Sequence, residues 1–377
     1  MKIIIITPNY NEGHSWMKSS VCIAEYMQKA GHEVVVVTAN VGGKYLSEEI
    51  CNGVKVYRVK SWFIPAPFNV TVPPAFVFHL RRIIMKENPQ AFVVSKYMFF
   101  TSLSVFYLKL ARSRKIVLFT DTFPGMNWYA PSKVLNLAMW IYARTLGWAV
   151  LKTADKVVLL HENNVPTAKA LGLNYEVIHN GIDFDRYQNV VPAKDILKFK
   201  NNAKAVVFVG RLDDVKGYKN LLKVSELLEK EKDLKFVLVC GDKYKDMREE
   251  LAKKHKNCLF LSFRADIPEI LSACDIYVIP SYSEGLPNTL MESMATGLPS
   301  IATNVGGIPC LIEEGKTGFL ISHSENLEEM TLAILNVKKN LQKMKDTVGK
   351  AGREKIEKEF NSKNIVKQWE KVLSENI

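Results

Sequence analysis

The sequence predicts an α/β protein built from two doubly wound parallel-sheet domains, and three observations carry that prediction. Short β-rich apolar runs alternate with amphipathic helical patterns, as parallel strands joined by crossover helices do. That rhythm lapses once, through Asn189 to Asn202, and then restarts. The chain has 377 residues, 47% of them hydrophobic, which suits two buried cores better than one.

The first series of runs covers 3–7, 33–38, 91–95, 115–119 and 156–160. A turn at His179-Asn180-Gly181-Ile182-Asp183 follows, then a segment read as a linker over 184–203. The second series is 205–209, 235–239, 258–261 and 275–279. The expected domains are 1–185 and 186–360, with the ligand in the crevice at the carboxyl ends of their strands. Residues 324–377 are helical by pattern and rich in Lys and Glu, with Gly349 and Gly352 as candidate breaks. A last helix over about 361–377 is expected to pack back on the first domain. No repeat of 20 to 50 residues and no low-complexity segment is visible, which excludes a solenoid.

Six cysteines are scattered without a CxxC pair, so neither a zinc site nor a disulfide framework is expected, and a reducing cytosol fits. Lys2 runs directly into four isoleucines, a strand-length run without the longer apolar core of a signal peptide. The apolar stretch 91–110 is interrupted by Ser95, Lys96, Thr101, Ser102 and Ser104 and falls short of a membrane-spanning helix. The net charge is +12, and residues 1–185 hold 20 Lys and Arg against 12 Asp and Glu. Such an excess suits nucleic acid, an anionic membrane or phosphorylated substrates, and its sign alone does not choose.

The chemistry concentrates in the second half. Ser283-Glu284-Gly285-Leu286-Pro287-Asn288-Thr289-Leu290-Met291-Glu292 follows the run 275–279 and reads as a strand-end loop entering a helix. Pro287 suits the first helical turn, Leu290, Met291, Met294 and Ala295 supply a buried stripe, and Gly297 and Pro299 close it. Amides near 286–289 then form an anion site suited to a diphosphate. Glu284 and Glu292 flank it, and a carboxylate accepts hydrogen bonds in pairs, as a vicinal diol offers them. Alone, this spacing is also that of a turn glutamate and a surface glutamate. The other element is Val209-Gly210-Arg211-Leu212 with Lys216-Gly217-Tyr218: a guanidinium and an ammonium at a strand end can hold a diphosphate and stabilise it as a leaving group.

Together with Asn180-Gly181-Ile182-Asp183 and Val305-Gly306-Gly307-Ile308-Pro309, these segments resemble the retaining glycosyltransferases of family 4, with the GT-B architecture of two Rossmann-like domains facing a cleft. The resemblance spans essentially the whole chain and is densest in the second half. It implies that Arg211 and Lys216 grip the donor diphosphate, that Glu284 and Gly285, Leu286, Pro287 and Asn288 contact the transferred sugar, that Thr289 belongs to the donor-binding set, and that Glu292 holds the ribose. Phe263 and Arg264 fall where the family reads the base. It further implies a nucleotide-sugar co-substrate with no metal and no other cofactor, and retention of anomeric configuration.

The first half departs from the family pattern. Where many members have a Gly-Gly turn after the first strand, this chain has Asn11-Glu12-Gly13-His14, so Gly13 is the one candidate for close approach to phosphate and His14 an acceptor-side candidate. Where many place a histidine, Asp121 stands in Phe119-Thr120-Asp121-Thr122-Phe123-Pro124; it either orients a substrate hydroxyl or caps the next turn. His161 follows the run 156–160, where relatives usually carry serine, and ranks behind His14.

For the acceptor, Trp62-Phe63-Ile64-Pro65-Ala66-Pro67-Phe68, the run 70–82 ending in Arg81-Arg82, and the helix predicted over 132–152 interleave aromatics with cations. In that second region Trp128, Tyr129, Trp140, Tyr142 and Trp148 alternate with Lys133, Arg144 and Lys152. This composition suits an interfacial surface on anionic lipid, against the alternative of tryptophans packed inside. The expectation is a cytoplasmic enzyme, peripheral on the membrane, moving a hexose from a UDP- or GDP-sugar to a lipid-linked or glycolipid acceptor. A GT-B epimerase and a non-catalytic sugar-nucleotide sensor are the alternatives. A nucleic-acid partner is not expected, because no binding motif accompanies the charge and Glu284, Glu292 and Asp121 would repel a phosphate backbone.

Overall fold

The computed structural model describes residues 1–10, 18–64, 70–111, 114–126, 132–241 and 244–375. Gly13 and His14, with Pro65 to Phe68, Trp128 and Tyr129, lie outside the described residues. Two compact units emerge, one of Met1–Gly181 with Ser362–Ile377, the other of Ile182–Asn361.

The first unit is built on β1 (Lys2–Thr7), β2 (Glu33–Val41), β3 (Glu48–Cys51), β4 (Val54–Ile64), β5 (Val70–Val72), β6 (Ala91–Ser95), β7 (Lys115–Thr120), β8 (Lys156–Leu159) and β9 (Tyr175–Val177). The sheet order is β3-β4-β2-β1-β6-β7-β8-β9, parallel except that β3 and β5 run antiparallel to β4. Its central strands bury both faces: Ile4 and Ile6 enter one core while Ile3 and Ile5 enter the other. Period-2 side-chain direction sends alternate residues to opposite cores, so these strands read as unbroken β-branched runs. The final helix, Ser362–Ser374, packs Ile365, Trp369 and Val372 into the second of these cores, with Trp369 edge-on to Phe119 of β7 at 6.0 Å.

The second unit carries β10 (Lys204–Val209), β11 (Leu234–Val239), β12 (Cys258–Leu261), β13 (Ile276–Ile279), β14 (Ser300–Thr303) and β15 (Phe319–Ile321), ordered β12-β11-β10-β13-β14-β15 and parallel throughout. The chain lays β11 and β12 to one side of β10 and then returns to place β13 on the other. That reversal between β10 and β13 is the switch point at which a doubly wound sheet opens a crevice.

Three expectations are corrected. The segment 184–203 is not a linker: a 3₁₀ turn at Phe184–Tyr187 and a helix at Lys194–Lys200 send Phe184, Tyr187, Ala193 and Ile196 into the core of the second unit. Gly349 and Gly352 break nothing. They lie inside helical turns, where a Cβ on Gly349 would come 2.2 Å from the Gly297 carbonyl oxygen and one on Gly352 would come 2.9 Å from that of Thr317. The helix predicted over 132–152 is two helices, Lys133–Arg144 and Leu146–Thr153, bent by 41° at Thr145. The hydroxyl of Thr145 bonds back to the Ile141 carbonyl at 2.8 Å, and Gly147 sits against the Tyr97 and Tyr142 rings. Among the described residues, no single helix is long and apolar enough to cross a membrane.

Candidate active site

Arg211 and Lys216 come from the loop that leaves β10, and Glu284 from the loop that leaves β13, so the two motifs flank the switch point of the second unit. They meet there. The Lys216 ammonium lies 2.7 and 2.9 Å from the two carboxylate oxygens of Glu284, and the Ser281 hydroxyl donates to one of them at 2.6 Å. Glu284 is 7% exposed and Lys216 21%, a pair largely withdrawn from water. Asp213 touches both residues: one oxygen accepts the Lys216 backbone N–H at 3.2 Å, the other faces Arg211 Nε at 3.1 Å. An aspartate three residues ahead of the lysine caps the 3₁₀ turn that carries it.

Glycines hold these loops in contact. Gly217 has φ +65°, and a Cβ there would fall 1.8 Å from the Pro280 carbonyl oxygen at the end of β13. Gly306 has φ +56°, and its Cβ would fall 1.7 Å from the Glu284 carbonyl oxygen. Only a residue without Cβ permits both the left-handed backbone and that approach. The next amide, Gly307, donates to the Gly285 carbonyl at 2.8 Å. The Gly-Gly-Ile-Pro segment therefore acts as a backbone clamp on the loop that bears Glu284.

The helix after that loop is Asn288–Ala295. Pro287 stands one position before it rather than in its first turn, with φ −74° and ψ 115°. Asn288 and Thr289 are then the first two helical positions, whose amides have no carbonyl a turn behind them to bond. The helix closes on a Schellman arrangement, with Leu298 donating to Ser293 and Gly297 to Met294. Glu292 is buried on it, not a surface glutamate. Tyr277 of β13 lies beneath, its hydroxyl 2.8 Å from Thr289 Oγ1, and burial, then the charges of Glu284 and Glu292, push its phenol far up.

Phe263 and Arg264 follow β12, at the sheet edge. Phe263 is 67% exposed, and Arg264 forks onto Asp266 while also reaching Asp195. Hydrogen bonds from Arg264 hold both carboxyls below their usual range.

In the first unit Asp121 follows β7. Its carboxylate takes the Lys96 ammonium at 2.7 Å, and its backbone carbonyl accepts from His161 Nε2 at 2.6 Å and Asn164 Nδ2 at 2.9 Å. His161 is buried, and burial lowers its pKa despite the bond to Asp121. Lys96, Asn164, Asp213 and Ser281 are residues that motif reasoning passed over. Only Asp213 carried a local signal, the cap spacing to Lys216.

Comparison with known proteins bears on this geometry. Residues 192–355 match the family described as Glycosyl transferases group 1, and residues 21–186 match Glycosyltransferase Family 4. Each half of the chain thus matches a glycosyltransferase family. It is 30% identical over 233 residues to an Escherichia coli UDP-Gal:alpha-D-GlcNAc-diphosphoundecaprenol alpha-1,3-galactosyltransferase, covering 59% of this chain and 57% of that one. It is 26% identical over 362 residues to an uncharacterized glycosyltransferase of Methanocaldococcus jannaschii, covering 91% of this chain and 90% of that one. The chain thus spans just over half the length of the first relative and most of the second. Among solved structures, it superposes on a sucrose-phosphate synthase of Thermosynechococcus elongatus with TM-score 0.77 at 18% identity, covering 98% of both chains. It superposes on Anabaena HepE in complex with UDP and glucose with TM-score 0.72 at 20% identity, covering 99% of both. At such identities the likeness is one of fold, and the fold is GT-B.

Proposed function

We propose that this glycosyltransferase moves a hexose from a UDP- or GDP-sugar to a hydroxyl of a lipid-linked or glycolipid acceptor, with retention of configuration and without a metal ion. The observation that carries the donor side is the meeting of Arg211, Lys216 and Glu284 at the switch point of the second unit, beside a helix start. In this reading Arg211 and Lys216 hold the diphosphate and carry its charge as it departs, the work a metal ion would otherwise do. Glu284 and 285–288 meet the transferred sugar, Thr289 lies in the same donor site, Glu292 meets the ribose, and Phe263 with Arg264 the base. Retention rests on the family resemblance.

The acceptor rests on two supports. The E. coli relative is named for a sugar on diphosphoundecaprenol. The first unit also leaves Trp62, Phe63 and Ile64 exposed on β4, and Leu137, Trp140, Ile141 and Trp148 exposed on the bent helix pair, with Arg144 stacked 4.4 Å over the Trp140 ring. Apolar and aromatic side chains beside cations suit a lipid headgroup boundary. The enzyme is then peripheral on the cytoplasmic face of a membrane.

Nucleotide release from UDP-glucose, UDP-galactose, GDP-mannose and ADP-glucose tests the reading. One uridine or guanosine sugar is expected to turn over, to do so equally in EDTA, and to yield an α-linked product by NMR. Release only after a divalent ion is added would overturn the cation assignment, and an epimerised sugar nucleotide would overturn transfer.

A further inference from the structure

The strand order of the first unit reverses between β1 and β6, so its ligand crevice opens at the carboxyl ends of those strands. Lys96 is the residue immediately after β6, and Asp121 the one immediately after β7. Lys96 has φ +57°, in the left-handed region that a lysine enters only at a cost. Its N–H still bonds the Phe119 carbonyl at 2.8 Å, the last rung between β6 and β7. The turn therefore leaves the ladder intact and directs the side chain to Asp121, whose Oδ2 it reaches at 2.7 Å. Asp121 is 27% exposed, and its Oδ1 has no partner among the described residues.

Beneath the pair, the Asp121 carbonyl can only accept, so the proton between it and His161 sits on Nε2. His161 Nδ1 is then an acceptor, buried and without a partner among the described residues. Joining β6 to β7 requires none of this. Glycine at 96 would relieve the backbone, and an apolar residue at 161 would remove the unpaired acceptor. Strained backbone and an unsatisfied buried polar atom gather where a site is being held, and here both bear on Asp121.

We propose that Lys96 is a positioning residue: it holds Oδ2 of Asp121 so that Oδ1 accepts a hydrogen bond from a sugar hydroxyl of the reaction. This rests on the glycosyltransferase reading above. The hydroxyl belongs either to the transferred sugar or to the acceptor, and the two sources differ in the assay. A loss in the slow hydrolysis of the sugar nucleotide, with water as acceptor, assigns it to the transferred sugar. A loss only in transfer to a short-chain lipid diphosphate sugar assigns it to the acceptor.

The test uses Lys96→Gly, Lys96→Arg, Asp121→Asn and the Gly/Asn double variant in the full chain, with UDP-galactose or UDP-glucose as donor. Lys96→Gly and Asp121→Asn are each expected to lower one of those two rates at least about 30-fold, and the double variant to lose no more than the worse single one, since the pair acts as one unit. Lys96→Arg is expected to keep roughly a tenth or more of the rate, because it restores the cation. UDP affinity by calorimetry is expected to stay within about twofold, and the melting temperature of Lys96→Gly to hold or rise as the strain goes. Full activity in Lys96→Gly, losses that multiply in the double variant, or a loss matched by a fall in melting temperature would each overturn the proposal. A wild-type protein that neither binds nor releases UDP or GDP would instead sink the transferase reading, and the proposal with it.

Discussion

Replacing Glu284 by glutamine separates binding from turnover. Its carboxylate lies 2.7 and 2.9 Å from the Lys216 ammonium, the cation proposed to hold the donor diphosphate. Glutamine keeps the shape and one acceptor oxygen, and removes the charge. A phosphate oxygen taking a charge-assisted bond at about 2.8 Å on the free side of Lys216 would sit roughly 5 Å from the carboxylate. Repulsion across that gap is about 0.8 kcal/mol at a water-like dielectric and about 3 kcal/mol at an effective value of 20. With Lys216 21% and Glu284 7% exposed the water-like figure is a floor, so UDP is expected to bind at least about fivefold tighter to Glu284→Gln. Turnover is expected to fall about 100-fold or more, because the sugar loses a charged contact that strengthens in the transition state. The half-buried lysine left with a neutral partner costs about 1 to 3 kcal/mol of stability, seen as a melting temperature lower by a few degrees. Calorimetry with UDP, nucleotide-release kinetics and a thermal melt read all three. UDP binding that weakens together with turnover would refute the argument, since the carboxylate would then be supporting the diphosphate site rather than competing for it.

Gly306→Ala should push the Glu284 loop away, because the new Cβ would lie 1.7 Å from the Glu284 carbonyl oxygen; a stable, fully active variant would show the clamp to be dispensable. Glu87 is pushed up by burial, but Lys55, Tyr57 and Lys2 outweigh this and hold it at about 2, below its ordinary 4.5. A depressed carboxyl stabilises the fold above its unfolded value, and that share is lost as pH falls from about 4.5 towards 2. Glu87→Gln should therefore flatten the acid limb of the melting profile in that window, and an unchanged limb would remove Glu87 from the account. For the acceptor side, Trp140→Ser with Ile141→Ser should lower co-sedimentation with anionic liposomes at low salt without changing UDP affinity. Equal sedimentation of variant and wild type would detach these side chains from the membrane.

The strands were legible because burial on both faces selects unbroken β-branched runs, and the predicted 91–95 and 258–261 agree with β6 and β12 to the residue. Short edge strands such as β3 and β5 carry too little apolar sequence to be seen. The segment 184–203 looked structureless because Phe184 with Tyr187 and Ala193 with Ile196 each show only a single helical i,i+3 step, too short a run to register, yet all four are core residues. The break at Thr145 had no glycine or proline to announce it at that residue. In the site, local chemistry was readable and partnership was not. Lys216 and Glu284 are 68 positions apart, and only the return of the chain to β13 beside β10 brings them together. Lys96 registered as an interruption in an apolar run because its partner lies 25 residues on, across a strand pair.

The donor-site assignment turns on where a nucleoside diphosphate sits, and a crystal structure of the protein with UDP bound measures that. It predicts the diphosphate at Arg211 and Lys216 beside the amides of Asn288 and Thr289, with the ribose hydroxyls on Glu292. UDP density elsewhere in the second unit, leaving the Lys216 to Glu284 pair and Glu292 untouched, would contradict it.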